Sequence, residues 1–345
     1  MFGERLKRAR VKAGFSMQDL VDNAQNIVSK QAISQYEKDQ KSPSSTVLIA
    51  LANALGVGVE YFFRTVEVKI NKVDFRKHSS LGIKKQEAIK EKVQEYLERY
   101  LQIESILEID AKFENPIAND IINNFDDLEE LALKLRNGWN LGIDSIDNII
   151  EMLELQNIKV ILIEDEKHFN GLSGEANEDK NHPFVVLNNS NELTDDRKRF
   201  TAIHELAHLV LPQHELNAEK ASDRFSGAFL FPRDSVFSEF GEKRTKISLE
   251  ELNHIKQKYG ISIAGIVFRL YHLDIISETM FNRFWVKNRT EKFDEKFPYS
   301  KQMKTARFEN LLGHAYSEEL ISLSKLAELS GLGVDVALNK FGKVV

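Results

Sequence analysis

Residues Phe200 to Pro212 read FTAIHELAHLVLP, and His204, Glu205 and His208 give them an HExxH spacing. Residues four apart lie on one face of a helix. Both imidazoles can therefore reach one metal ion, with Glu205 beside them. Two histidines so placed hold zinc, and the glutamate takes a proton from the water that the metal activates. The flanks suit a buried helix: Phe200, Ile203, Leu206, Ala207, Val210 and Leu211 supply apolar faces, Leu209 is left over, and Pro212 stops the helix. The bland alternative is a pair of surface or satisfied core histidines. An accidental match somewhere in a chain of this length has a chance on the order of one per cent.

Two histidines do not complete a catalytic zinc site, which needs a third protein ligand and leaves a fourth position to water. The next helical stretch, Glu219 to Phe225, places Glu219 and Asp223 four apart on one face. Glu219 is the expected third ligand, with Asp223 holding His204 or His208 from behind. His214, on a short loop after Pro212, competes for the ligand role. The pair Glu219 and Asp223 resembles the ExxxD helix of gluzincin metallopeptidases. More widely, DDRKRFTAIHELAHLVL followed by EKASDRFSGAFLFP resembles the ImmA/IrrE family of metallopeptidases, through Arg199, His204, Glu205, His208, Glu219, Asp223, Arg224, Phe225 and Pro232. Ala207 stands where that family usually has Gly, and Ser226 where it has Ala. The turn Phe169 to Gly174 and the strand Phe184 to Asn188 also resemble the family, so the likeness spans roughly residues 128–285.

The 345 residues imply two or three domains. With no cysteine there are neither disulfides nor thiolate metal sites, which suits a cytoplasmic protein. No apolar run approaches the roughly 20 residues that span a membrane, and MFGERLKRARVKAG lacks the apolar core of a signal peptide. The net charge of −6 gives no general argument for nucleic-acid binding, so a basic patch must carry one.

Such a patch lies at the N-terminus. Residues 1–64 hold nine Lys/Arg against six Asp/Glu and read as about five short helices, with Ser16 and Ser29 as N-caps and a start at Ser42 to Ser45. Leu6, Arg10, Ser16 to Leu20 and the stretch VSKQAISQYEKDQKSPSSTVLIALANALGV resemble an Xre-type helix-turn-helix domain. Its buried positions are read as Leu6, Leu20, Ile33, Tyr36, Leu48, Leu51, Ala52, Leu55 and Val57. The exposed residues of the third helix, Lys30, Gln31, Ser34, Gln35 and Lys38, would face the major groove. Arg8, Arg10 and Lys41 read as phosphate contacts. Met17, where many relatives carry Gln, and a longer turn before Ser29 depart from the usual pattern. A helix-turn-helix that binds protein instead of DNA is the competing reading.

Residues 66–115 read as a connector: Val66, Val68 and Ile70 alternate as a strand, FRKHSS makes a basic turn, and Ile83 to Leu107 forms one long charged helix of roughly 37 Å. Its stripe of Ile89, Val93, Leu97, Tyr100 and Leu107 suits a dimerising coil or a helix packed on the metallopeptidase domain. Helices over 125–139 and 147–155 precede strands at 158–163 and 184–187, with a polar loop over 165–181 between the strands. Phe184, Val185, Val186, Leu187 and Asn188 form the candidate strand that takes an extended peptide substrate by β-addition; an ordinary core strand is the alternative. His254, Tyr259, Tyr271 and His272 are candidates to polarise a tetrahedral intermediate, none of them distinguished. The C-terminal ISLSKLAELSGLGVDVAL resembles the first half of another helix-turn-helix and reads as a packing pair.

The expected fold is mainly α with a small sheet (α+β). Its four parts are a helix-turn-helix domain (1–65), the connector (66–115), a gluzincin-like metallopeptidase domain (116–286) and a helical C-terminal region (287–345). The resemblance implies a DNA-binding regulator fused to a zinc endopeptidase, with manganese an alternative metal. It also implies cleavage of a helix-turn-helix repressor, or of the chain itself, in a mobile-element or stress response. Half-site recognition favours a homodimer on double-stranded DNA. The competing function is a repressor or antitoxin whose metal domain only senses or docks. Glu205 argues against that, because docking needs no general base.

Overall fold

A computed structural model describes residues 2–64, 68–73, 82–110, 112–164, 169–177, 182–190, 193–301 and 303–342. The FRKHSS turn lies outside them. The chain divides into two compact units: 1–71, 75–111 and 306–345 form one, and 72–74 with 112–305 form the other.

The first unit begins with α1 (Phe2–Lys12), α2 (Met17–Asn23), α3 (Lys30–Glu37), α4 (Ser45–Leu55) and a 3-10 turn at Val59–Phe63. Serine hydroxyls start three of these helices: Ser16 accepts from the Asp19 amide, Ser29 from Ala32 and Ser44 from Val47. Asp19 returns a bond to the Ser16 amide and closes a capping box. Leu6, Leu20, Ile33, Tyr36, Leu51, Ala52 and Leu55 are buried together as expected, while Leu48 and Val57 are only partly covered.

A strand, β1 (Ile70–Val73), precedes the long helix α5 (Ile83–Ile106). The stripe Ile89, Val93, Leu97 and Tyr100 of α5 is buried. It is buried within its own unit, where α5 packs on α1 and Arg5 and Arg8 of α1 bind Glu98 and Glu91 of α5. Two sequence readings change as a result. The stripe is no free dimer seam, and Arg8 is no phosphate contact. Arg10 changes too: its guanidinium forks onto Glu37 at 2.6 and 3.0 Å and bonds the Phe15 carbonyl, so it braces α1 against α3.

The second unit contains α6 (Asp127–Gly138), α7 (Ile149–Leu155), β2 (Lys159–Ile163), β3 (Gly171–Ala176), β4 (His182–Asn188), α8 (Asp195–Val210) and α9 (Ala218–Leu230). It continues through α10 (Arg233–Phe240), α11 (Leu249–Tyr259), α12 (Ile263–His272), α13 (Glu278–Glu291) and α14 (Phe293–Lys296). The sheet order is β1-β3-β4-β2. β4 runs parallel to β2, with Val160 opposite Val185, and antiparallel to β3, with Ser173 opposite Val185. This corrects the reading of Phe184 to Asn188 as the substrate strand. Both edges of β4 are already hydrogen-bonded, so it cannot add a peptide; its near-continuous apolar run is that of a central strand. β3 arises inside the stretch read as a polar loop, because the small, polar sequence GLSGEA carries no apolar alternation.

Helices α6 to α9 cover this sheet around one apolar core, and α10 to α14 enclose a second built on Phe231, Val236, Ile255, Ile266 and Leu270. The chain then returns to the first unit as α15 (Arg307–Ser317), α16 (Leu323–Ser330) and α17 (Val334–Phe341). There Phe308 stacks on Tyr100 of α5 with ring centroids 5.2 Å apart, in the packing role read for the C-terminal helices. Among the described residues no helix is long and apolar enough to cross a membrane.

Candidate metal centre

α8 and α9 cross with Ala207 and Ala221 fully buried in the shared core. Small side chains there let the helices approach closely, and the approach sets the histidines of one against the carboxylates of the other. His204 Nε2 lies 3.2 Å from His208 Nε2 and 3.3 Å from Glu219 Oε2, and His208 Nε2 lies 3.7 Å from Glu219 Oε1. Bonds of about 2.1 Å to a tetrahedral metal put ligand atoms about 3.4 Å apart. The spacing of these three groups therefore fits a divalent cation, and two imidazoles with one carboxylate are a donor set for zinc or manganese. His214 lies outside the cluster that His204, His208 and Glu219 form among the described residues.

Asp223, one turn after Glu219 on α9, has its Oδ1 2.9 Å from His204 Nδ1. A carboxylate on Nδ1 fixes the tautomer that leaves Nε2 free as a ligand. Burial pushes the His204 pKa down, but the Asp223 hydrogen bond and the charges of Glu205, Asp223 and Glu219 outweigh it, and the pKa is raised above its ordinary 6.5. Ser222 Oγ stands beside the other ring, 3.2 Å from His208 Nδ1 and 3.3 Å from its Nε2.

Glu205 is buried, and its Oε2 accepts a hydrogen bond of 2.8 Å from Ser173 Oγ on β3. The strand can come this close because of Gly171. A Cβ there would lie 2.7 Å from Thr201 Cγ2, 3.0 Å from the Val186 carbonyl and 3.2 Å from Glu205 Cγ. Arg199, one turn before the first histidine, is almost wholly buried. It donates to the carbonyls of Asp147, Ile146, Tyr259 and Gly260, tying α8 to the segments before α7 and after α11. Its role is architectural.

Neither Ser173 nor Ser222 was singled out from sequence. Ser222 could have been found, since it lies between Glu219 and Asp223 on a helix facing the histidines. Ser173 could not, because nothing in GLSGEA marks it as a strand under Glu205. Of the polarising candidates, Tyr259 bonds Glu239 and packs on Phe231, and Tyr271 stacks on Phe281. His272 lines a cavity that Asp223 also lines, and His254 is exposed on α11. In the other unit, Lys30, Gln31, Lys38 and Lys41 are exposed, and Ser34 and Gln35 are half-buried on α3.

A family model described as Helix-turn-helix matches residues 6–62, and one described as IrrE N-terminal-like domain matches residues 154–271. The chain is similar to the HTH-type transcriptional regulator ImmR of Bacillus subtilis (strain 168), 33% identical over 73 residues, which are 21% of this chain and 56% of that protein. It is also similar to the SPbeta prophage-derived uncharacterized HTH-type transcriptional regulator YonR of the same organism, 34% identical over 64 residues, 19% of this chain and 57% of that protein. The chain thus spans a little over half the length of these curated relatives.

Proposed function

From the premise that this chain joins an Xre-type helix-turn-helix domain to an IrrE-like metallopeptidase-family domain, we propose that it is a DNA-binding transcriptional regulator that is also a metal-dependent endopeptidase. The observation that carries this reading is the convergence of His204, His208 and Glu219 beside Glu205, whose carboxylate is oriented by Ser173. A divalent ion held there supplies a Lewis acid and a water of lowered pKa. Glu205 takes the proton of the attacking water and returns it to the leaving amine. Asp223 holds the His204 ring in place throughout.

The substrate in this reading is a protein, and the attached DNA-binding domain points to a helix-turn-helix repressor of the same regulatory circuit or to the chain itself. The prophage derivation of one relative, YonR, fits a mobile-element setting. Lys30, Gln31, Ser34, Gln35 and Lys38 read the operator from α3, and Lys41 holds phosphate. The protein acts in the cytoplasm as a homodimer on two half-sites, its seam lying elsewhere than the buried stripe of α5.

The test is metal content by elemental analysis, with intact mass followed over time after loading with zinc or manganese. It is run on the wild type, His204→Ala and Glu205→Gln, with and without helix-turn-helix repressors. One metal per chain, lost in His204→Ala, with fragments formed only by the wild type, is the expected result. Metal bound equally by wild type and Glu205→Gln, with every protein left intact, would replace the peptidase with a sensing or docking module.

A further inference from the structure

Asp223 and its neighbours Lys220, Arg224 and Gly227 on α9 also line a cavity of about 710 Å³. Phe125, Phe200, Ile261, Ala264 and Phe268 give it apolar walls. That size and lining belong to small-molecule sites. Its charged groups are unusual. Arg224 and Arg269 both line it, 8% and 1% exposed, and they share one buried carboxylate, Glu129 at 9%. Arg269 takes both Glu129 oxygens in a fork. Arg224 Nε is 3.0 Å from the same Glu129 Oε1 but makes no hydrogen bond, and among the described residues its other acid is Asp126, a side chain 91% exposed that accepts from Arg224 Nη2 at 3.5 Å. Two buried cations thus face one buried anion. Lys220 adds a third positive group at the rim and Asp223 a carboxylate already bonded to His204. His272, which also lines it, is pushed down to about 4 by desolvation first and then by the two guanidinium groups, with Glu129 opposing.

We propose that this cavity binds a small organic anion with an apolar body, its carboxylate on Arg224 and its hydrocarbon against Phe200, Ile261 and Phe268. Burying two guanidinium groups against one shared carboxylate is costly, and an anionic ligand relieves that cost while filling the apolar space. The site needs no peptidase activity, so it stands apart from the reading above. Its position gives it a use there, because Phe200 and Asp223 border both the cavity and His204.

The test is isothermal titration of the full-length chain, metal-free and metal-loaded, with octanoate, octanol and octylammonium as probes. Trp285, whose ring lies 5.3 Å from Phe268, provides a fluorescence readout. Octanoate is expected to saturate one site at least tenfold more tightly than octanol, and octylammonium not to bind. Arg224→Met leaves Arg269 and Glu129 as a neutral pair. It should lower octanoate affinity to that of octanol without changing octanol, which also shows that the variant is folded. Ala264→Trp fills the cavity and should abolish both. No saturable binding, octanoate no tighter than octanol, or octanoate binding that survives Ala264→Trp would each overturn the proposal.

Discussion

The Ser173 hydroxyl on β3 donates across 2.8 Å to Oε2 of Glu205 on α8, so this buried carboxylate is held by the sheet beside it. Ser173→Ala frees that oxygen without touching any metal ligand. Metal content should be unchanged, and the cleavage rate should fall on the order of tenfold, the usual scale for residues that orient a site. A loss of metal instead would mean that the hydroxyl supports the fold of the centre. Gly171→Val tests the same approach sterically. With its Cβ 2.7 Å from Thr201 Cγ2, it should destabilise this unit by about 1–3 kcal/mol, read as a lower midpoint in urea.

In the proposed metal centre Asp223 acts through His204, whose Nδ1 it holds at 2.9 Å. Asp223→Ala leaves the three ligands in place but releases the ring. Zinc affinity should fall about 10- to 100-fold in a chelator competition. Asp223→Asn, which keeps a hydrogen-bonding oxygen, should lie between wild type and Ala.

Metal and proton compete for His204. The raised pKa means that the folded, metal-free protein holds this proton above pH 6.5. The proton's contribution to stability is therefore fully present below the unfolded value of 6.5 and is lost as pH rises through the higher folded value. Metal binding needs the neutral ring and runs the other way. Thermal melts in zinc and in chelator should diverge as pH rises from about 6 to 8, the zinc-induced gain in Tm growing throughout. A gain independent of pH would remove His204 from the ligand set.

Arg199 fills four backbone carbonyls from inside the unit, and its pKa is lowered chiefly by burial. Arg199→Ala orphans those acceptors and should cost about 3 kcal/mol or more. Arg199→Lys should recover little, because an ammonium cannot span the same acceptors as the planar fork. Both variants should lose Tm in metal and in chelator alike, which separates this brace from a metal ligand.

Arg10 and Lys41 make a matched pair in the helix-turn-helix domain. Arg10 is occupied by Glu37, whereas Lys41 is exposed. In DNA titrations over a range of salt, Lys41→Ala should lower the slope of log K against log salt by about 1. Arg10→Ala should lower the stability of the domain and leave that slope unchanged.

The cluster of His204, His208 and Glu219 was legible because its information is local. Two histidines four apart and two acids four apart declare their faces through the helical repeat, whatever surrounds them. The serine caps of α2 and α3 and the apolar spacing of the first four helices were readable for the same reason. What lay beyond a helical repeat was settled by long-range pairing. β3 has no apolar alternation to announce it and becomes a strand because β4 offers it a hydrogen-bonding edge, which is also why β4 cannot offer that edge to a substrate. Arg10 looked free until Glu37 was brought to it by the packing of α1 on α3, and the stripe of α5 looked like a seam between chains until α1, α15 and α16 packed on that helix. Sequence periodicity states which face of an element must be buried; only the tertiary fold chooses what buries it, because that choice depends on contacts between residues far apart along the chain.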